Sequence, residues 1–418
     1  MVDRVALLQD GLVLVGDDGA LPSFEAAEDL ELAQALTLVG AEIPLAPTMR
    51  LPDGSRVHVV GMRDGAERAD ARGALVAPAA LADGAVAAAI AQAVAELDPA
   101  RTPAGRPDWY RPGWYEAIET WIDGALLPSG RRRTGPIEPV KAWSVSAVAR
   151  VPVEGDAVWV KQPCAHFHAE ARIHRAVAAL VPELVPQLIA TEVDRGWLLM
   201  EPMAGAEEAQ HAAGAALRVA ERWADAQIAA VEQVPALLAA GLPHRGLELT
   251  VTGFRALLEH STELALLDAV ELAAIRGSAD RAIELVRELW HAGVPDTLAH
   301  GDLHLDNVAW DGETLRLFDW TDGCVSHPFL DIAHLTRFMG VRDEAAAFEA
   351  AYASRWREAF PEADTDRALE LAPLADLVFQ VVTFDEIAKA TEPVSAWELG
   401  GVVAKKLRHL PAMVSTLA

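Results

Sequence analysis

Leu298 to Trp320 reads LAHGDLHLDNVAWDGETLRLFDW, the densest polar cluster on an otherwise apolar chain. His300, Asp302, His304, Asp306, Asn307 and Asp319 all fall within it. Asn307 follows Asp302 by five positions, and Asp319 follows Asn307 by twelve. Between them, Val308-Ala309-Trp310, the turn pair Asp311-Gly312 and the run Leu315 to Phe318 read as strand, turn and strand. The spacing predicts a loop feeding a tight hairpin that returns Asp319 to the side of Asn307. Two carboxylates and one amide can then converge on a single spot.

Phosphoryl transfer from a nucleotide needs that inventory. One carboxylate orients a hydroxyl and takes its proton, while an amide and a second carboxylate offer hard oxygen ligands to Mg²⁺. Such a site works by positioning and by charge stabilisation. A rival reading takes His300, Asp302, His304 and Asp306 as the ligand set of a metallohydrolase, since alternation would put all four on one face of a strand. That reading leaves Asn307 and Asp319 unexplained. The bland reading makes His300 and His304 loop-shaping hydrogen-bonders and Asp306 an exposed turn residue.

HGDLHLDN at 300–307 followed by Phe318-Asp319-Trp320 resembles the aminoglycoside phosphotransferase and choline-kinase-like branch of the protein-kinase superfamily. Its pattern is H-G-D-x-x-x-x-N and then an Asp preceded by apolar strand residues. The resemblance implies an α+β, bilobal protein-kinase-like fold, with a small β-rich lobe and a large helical one. It makes Asp302 the catalytic base and Asn307 and Asp319 the Mg²⁺ ligands, with ATP as phosphoryl donor and a small-molecule hydroxyl as acceptor. Gly301 and Trp320 stand where protein kinases usually carry Arg and Phe-Gly, which points to the small-molecule branch.

The same resemblance assigns residues upstream. Lys161 closes the strand Ala157 to Lys161 and is expected on the α- and β-phosphates, with Glu170 on the next helix as its ion-pair partner. Trp197 to Gly205 (WLLMEPMAG) fits the hinge, with Met200 behind the adenine and the Glu201 carbonyl and Met203 N–H on its edge; Pro202 has no N–H to give. No G-x-G-x-x-G precedes Lys161, so Ser144 and Ser146 in Trp143-Ser144-Val145-Ser146 stand as candidates for the phosphate-covering loop. Asp331, in HPFLDIAHL, is expected beneath the catalytic loop as structural support. An inactive nucleotide-binding scaffold of the same fold is the remaining alternative.

The resemblance runs from about Trp109 to the C-terminus, which gives three segments. Residues 1–100 form an extra N-terminal α/β module of unassigned role, 101–204 the small lobe with its hinge, and 205–418 the helical lobe. Within the first, Leu12–Val15 and Arg56–Val60 read as strands, and Phe24 to Leu38 as a helix with an acidic start. Asp83 to Leu97 is an Ala-rich helix stopped by Asp98-Pro99. Pro99 to Gly113 reads as a linker or a strap across a surface.

Composition bounds the rest. The chain has 418 residues, 52% of them hydrophobic and 23% charged, within the globular range. Lys+Arg of 35 against Asp+Glu of 62 leaves a formal charge of −27, which argues against nucleic acid or an anionic membrane as partner. It leans towards an amine-bearing acceptor such as an amino sugar, with other sugars and small alcohols left open. Two cysteines, no signal peptide and no membrane-length apolar run lead to the expectation of a cytoplasmic protein. Oligomeric state is not legible.

Overall fold

Alternation along the strand Val2–Gln9 sets the first sheet: Val5 and Leu7 enter one core and Ala6 and Leu8 another. A strand buried on both faces needs partners on both edges. It pairs in parallel with Arg56–Gly61 and antiparallel with Leu12–Val15 and Ser23–Glu25. Seven strands join in this sheet. Helix Gly84–Glu96 covers one face with Val86, Ile90 and Ala93, and is capped by Asp83, whose side chain accepts from the N–H groups of Ala85 and Val86. The computed structural model describes residues 2–25, 32–63, 73–206, 214–337 and 342–417. Within the helix expected over 24–38, Leu32–Val39 is helical, whereas Phe24 and Glu25 lie in the strand Ser23–Glu25, which pairs with Val2–Arg4. The acidic start of the expected helix, residues 26–31, lies outside the described residues.

Asp3, Arg56 and His58 form a wholly buried ionic cluster in this sheet. Arg56 Nε donates to Asp3 Oδ1 at 2.7 Å, His58 Nε2 lies 2.7 Å from Asp3 Oδ2, and His58 Nδ1 lies 3.1 Å from Thr48 Oγ1. Burial alone would raise the Asp3 pKa, but the hydrogen bonds from His58 and Arg56 outweigh it and hold the carboxyl below its ordinary value. Asp3→Asn takes the charge from the carboxylate that two buried partners, Arg56 and His58, share, and is expected to destabilise the fold by about 3–5 kcal/mol at neutral pH. A depressed folded pKa contributes stability above the unfolded value and loses it as acid protonates the folded carboxyl. The gap between wild type and Asp3→Asn in denaturant melts should therefore be flat above about pH 5 and shrink below about pH 4.

A second sheet has the strand order Leu188–Glu192, Trp197–Met200, Val158–Pro163, Ser146–Val151, Glu138–Ala142. The expected hairpin is its centre, with Lys161 opposite Val148 on one side and Leu198 on the other. The Pro-rich stretch before it is an anchored strap. Trp109 and Tyr110 are buried, and the Tyr110 hydroxyl donates to the Ala142 carbonyl at 2.8 Å.

The described chain divides into two compact units: Met1–His166, Ile189–Glu201 and Ala390–Leu399 make the first, and Phe167–Leu188, Pro202–Lys389 and Gly400–Ala418 the second. Both sheets above belong to the first unit. So does the return segment Ala390–Leu399, which a boundary at 205 would assign to the helical part. It is tied in by Glu392, which accepts from Arg106 Nε at 2.9 Å, and by Trp397, whose indole N–H donates to the Thr48 carbonyl at 3.1 Å.

The second unit is mostly helical. Helices Ala215–Ala230, Leu247–His260, Ala269–Trp290, Phe329–Arg337 and Thr365–Ala390 enclose one core around Trp223, Phe254, Phe329 and Trp356. Two short antiparallel strand pairs interrupt them: Thr297–Ala299 with Cys324–Ser326, and, between these in the chain, the hairpin of Val308–Trp310 with Leu315–Leu317. The fold class is mixed α+β, as the sequence led us to expect. Among the described residues no helix is long and apolar enough to cross a membrane.

Candidate active site

The hairpin of Val308–Trp310 with Leu315–Leu317 closes as its spacing predicts. Val308 faces Leu317, Ala309 faces Arg316 and Trp310 faces Leu315, with Asp311 Oδ1 accepting from the Glu313 and Thr314 N–H groups in the turn. Beyond the last pair the Phe318 N–H donates to the Asn307 carbonyl at 3.0 Å. That bond sets Asp319 one residue from the backbone of Asn307. Asp319 then leaves the strand at φ +64°, a left-handed conformation that Asp tolerates better than most residues, and its Oδ1 accepts from the Thr321 hydroxyl at 2.8 Å.

Asn307, 7% exposed, ends the short helical turn Leu305–Asn307. Its Nδ2 donates to the Asp302 carbonyl at 2.9 Å and lies 3.4 Å from Asp302 Oδ2. An acceptor-only carbonyl on that side fixes the amide orientation, so Oδ1 is the end left for a ligand. Asp302 is held from two sides. His334 Nε2 lies 3.1 Å from its Oδ1, and His304 Nε2 lies 3.5 Å from its Oδ2. Burial works to raise the Asp302 pKa, yet the hydrogen bonds from His304 and His334 prevail and hold the carboxyl well below the usual range.

The loop rests on a buried carboxylate. Asp331 accepts from the N–H groups of His300 at 2.8 Å and Gly301 at 2.9 Å, and from Trp223 Nε1 at 2.9 Å and Gln227 Nε2 at 3.1 Å. This is the supporting role read for it from the sequence. Gly301 has φ +81°, and a Cβ there would stand 2.5 Å from the Asp322 carbonyl oxygen, so the position admits no side chain. Gly205 is constrained in the same way, since a Cβ would meet the Trp310 carbonyl oxygen at 2.2 Å.

His300 is wholly buried, with Nε2 3.0 Å from the Phe318 carbonyl, and burial pushes its pKa down. Residues 300–304 are loop rather than strand, so the alternation invoked for a four-ligand metal cluster has no strand to act on. Among the described residues no three His, Cys, Asp or Glu side chains group as a metal cluster.

The remaining candidates divide between the units. Lys161, 6% exposed, lies on the strand Val158–Pro163 in the first, and Glu170, 2% exposed, opens the helix Glu170–Leu180 in the second. In the first unit Met200 is buried opposite Trp159, and the Glu201 carboxylate takes a two-pronged bond from Arg131 at 2.9 and 2.7 Å. Met203, in the second unit, is half-buried. Ser146 Oγ accepts from Trp143 Nε1 at 3.1 Å. The Ser144 N–H is committed to Glu398 Oε2 at 2.7 Å, and burial pushes that carboxyl up to about 7. Glu398 comes from the return segment, so this occupant of the Trp143–Ser146 loop was invisible in the sequence.

The phosphotransferase enzyme family model matches residues 137–371. The chain belongs to that family. Membership places it among phosphotransferases that act as small-molecule kinases. No curated protein matches the sequence. Among solved structures it is similar to a spectinomycin phosphotransferase in complex with ADP and spectinomycin, at 12% identity over 71% of this chain and 98% of that one, TM-score 0.49. It is also similar to a choline/ethanolamine kinase family protein from Mesorhizobium loti, at 17% identity over 72% and 99%, TM-score 0.46. An ethanolamine kinase from Plasmodium vivax matches at 12% identity over 71% and 88%, TM-score 0.49.

In this phosphotransferase, two groups at the site escaped the motif. His334 joins Asp302 to Asp376: its Nδ1 lies 3.0 Å from Asp376 Oδ1, and Arg337 Nη2 lies 2.9 Å from Asp376 Oδ2. Burial opposes a charged imidazole, but Asp376 and Asp302 override it and raise the His334 pKa to about 9. His334 follows Asp331 by three positions on one helix, a spacing that shares a face. Asp376 interrupts the apolar run LAPLADLVFQ, where a carboxylate demands a partner. Those two signals were available. The Arg245–Asp322 pair, 3.2 Å apart, joins segments 77 residues distant and carried no signal.

Proposed function

We propose that the chain is an ATP- and Mg²⁺-dependent O-phosphotransferase whose acceptor is a hydroxyl of a small molecule, with Asp302 as the catalytic base. The use of ATP by a small-molecule phosphotransferase follows from family membership; the metal and the roles of single residues are our reading. The observation that carries it is the Phe318-to-Asn307 backbone bond, which closes the hairpin and sets Asp319 beside the Asp302–Asn307 loop.

Asp302 Oδ1 is engaged by His334, so Oδ2, with its longer contacts, is the oxygen left to accept a hydrogen bond from the acceptor hydroxyl. A carboxylate held this weakly basic orients the hydroxyl and takes its proton late, which suits a loose phosphoryl-transfer transition state. His304 and His334 fix its rotamer, a positioning contribution.

Asn307 Oδ1 and the Asp319 carboxylate would hold Mg²⁺. The site suits a hard cation. Burial raises the Asp322 carboxyl to about 7, with Arg245 opposing and the charges of Asp302 and Asp319 adding. When bound, the ion would offset the charge of the phosphate oxygens. Lys161 is assigned to the nucleotide phosphates with Glu170 as its partner. Met200, the Glu201 carbonyl and the Met203 N–H are assigned to adenine, and Ser146, ahead of Ser144, to the phosphate-covering loop.

The test is calorimetric titration of a non-hydrolysable ATP analogue with and without Mg²⁺. Binding at least about tenfold tighter with the metal, or about 1.4 kcal/mol, is expected. Equal affinity in both buffers would contradict the metal assignment, and no binding in either would contradict the whole reading.

A further inference from the structure

A cavity of about 770 Å³ opens in the second unit beside the helix that carries His334. Its size is that of a small-molecule site. Three side-chain contacts join it to the candidate base: Arg337 in its wall binds Asp376, Asp376 binds His334, and His334 binds Asp302. Leu377 and Phe384 supply apolar wall, and the charged groups of the wall are Arg337, Lys405, Lys406 and Glu349.

The sign of that wall runs against the molecule. The chain carries a formal charge of −27, yet its cavity has three cations and one carboxyl. Arg337 is spent on Asp376 at 2.9 Å. Lys405 and Lys406 pair with no carboxylate within 4.0 Å among the described residues, in a protein with 62 acidic side chains. Lys406 is half-buried with its ammonium 5.2 Å from the Phe384 ring centre. Burial, and then the like charge of Arg337, push its pKa down against the opposing pull of the Asp376 and Asp302 carboxylates. Glu349, the one acid in the wall, has its pKa raised by burial, with a hydrogen bond from Thr336 opposing. A half-buried ammonium with Arg337 and Lys405 in the same wall is stabilised by an incoming anion.

We infer that this cavity is the acceptor site and that it selects a hydroxylated small molecule bearing an anionic group, with Lys406 and Lys405 as the anion-recognising residues. The inference rests on the phosphotransferase reading for the word acceptor, and on the cavity alone for the sign of the charge. It reverses the expectation of an amine-bearing acceptor drawn from net charge, because a ligand meets the local field of its own pocket.

The test uses the full chain and size-matched probes that differ in charge: D-glucose, D-glucosamine, D-glucuronate and D-glucose 6-phosphate. Binding is measured at low ionic strength, with ATP-analogue binding recorded on the same samples. At least one anionic probe is expected to bind about tenfold or more tighter than glucose, glucosamine more weakly than glucose, and the preference to fall below about threefold in Lys406→Gln. The two anions separate a carboxylate from a phosphate preference. Lys405→Gln, at an exposed position, repeats the measurement should Lys406→Gln fail to fold. Glucosamine binding tightest, neither anionic probe exceeding glucose, or an unchanged preference in both lysine variants would overturn the inference. Loss of ATP-analogue binding by the wild type would sink the phosphotransferase reading instead, and leaves the charge preference to be read on its own.

Discussion

Replacing Asp302 by Ala is expected to lower phosphoryl transfer by about 10²–10⁴-fold, the range for loss of a positioned general base. Nucleotide affinity should stay within about threefold of wild type, since the carboxylate is assigned to the acceptor hydroxyl rather than to ATP. The structure sharpens this split. Asn307 Nδ2 is anchored mainly on the Asp302 backbone carbonyl at 2.9 Å, a bond that survives truncation of the side chain. The loop itself hangs from Asp331 through the N–H groups of His300 and Gly301, which Asp302→Ala leaves untouched. Single-turnover kinetics with analogue titration separates the two effects. A comparable fall in nucleotide affinity would mean that Asp302 serves the nucleotide instead.

Asp319→Ala is expected to act on the other half of the site. It removes one of the two oxygen ligands assigned to Mg²⁺, so the metal-dependent gain in nucleotide affinity should vanish, with turnover falling at least as far as in Asp302→Ala. The substitution also places Ala at φ +64°, where a non-Gly residue without a side-chain oxygen costs of order 1 kcal/mol. A thermal melt of Asp319→Ala measures that cost apart from the loss of metal. Asp319→Asn, which keeps an oxygen and tolerates the left-handed conformation, should recover the melt without recovering the Mg²⁺ response. An unchanged Mg²⁺ response in both variants would remove Asp319 from the metal site.

Local spacing carried the hairpin. Two apolar triplets flank the turn residues 311–314, and the register in which they pair, Trp310 against Leu315, determines where Asp319 lands. The strand under Lys161 was legible for the same reason, from alternation on both sides of a Gly turn. What escaped was non-local. Ser23–Glu25 has helix-compatible neighbours, and only the edge of Val2–Gln9 makes it a strand. Ala390–Leu399 reads as one more helical stretch, and nothing in its composition says that Glu392 and Glu398 meet Arg106 and Ser144, 286 and 254 positions away. His334 and Asp376 stand 42 residues apart, and their link to Asp302 becomes visible once two helices are packed. Net charge is a coarse guide to the acceptor for a related reason: a sum over 418 residues is silent on which few line a cavity.

Asp302, Asn307 and Asp319 are proposed to serve transfer of the ATP γ-phosphoryl group to an alcohol. The most direct measurement is ³¹P NMR of wild type and Asp302→Ala incubated with Mg²⁺, ATP and a pooled set of neutral, amine-bearing and anionic hydroxyl compounds. The account predicts conversion of ATP to ADP with a new phosphomonoester resonance in the wild type, and neither on the same timescale in the variant. ATP left intact by the wild type, or released only as inorganic phosphate at equal rates by both proteins, would contradict it.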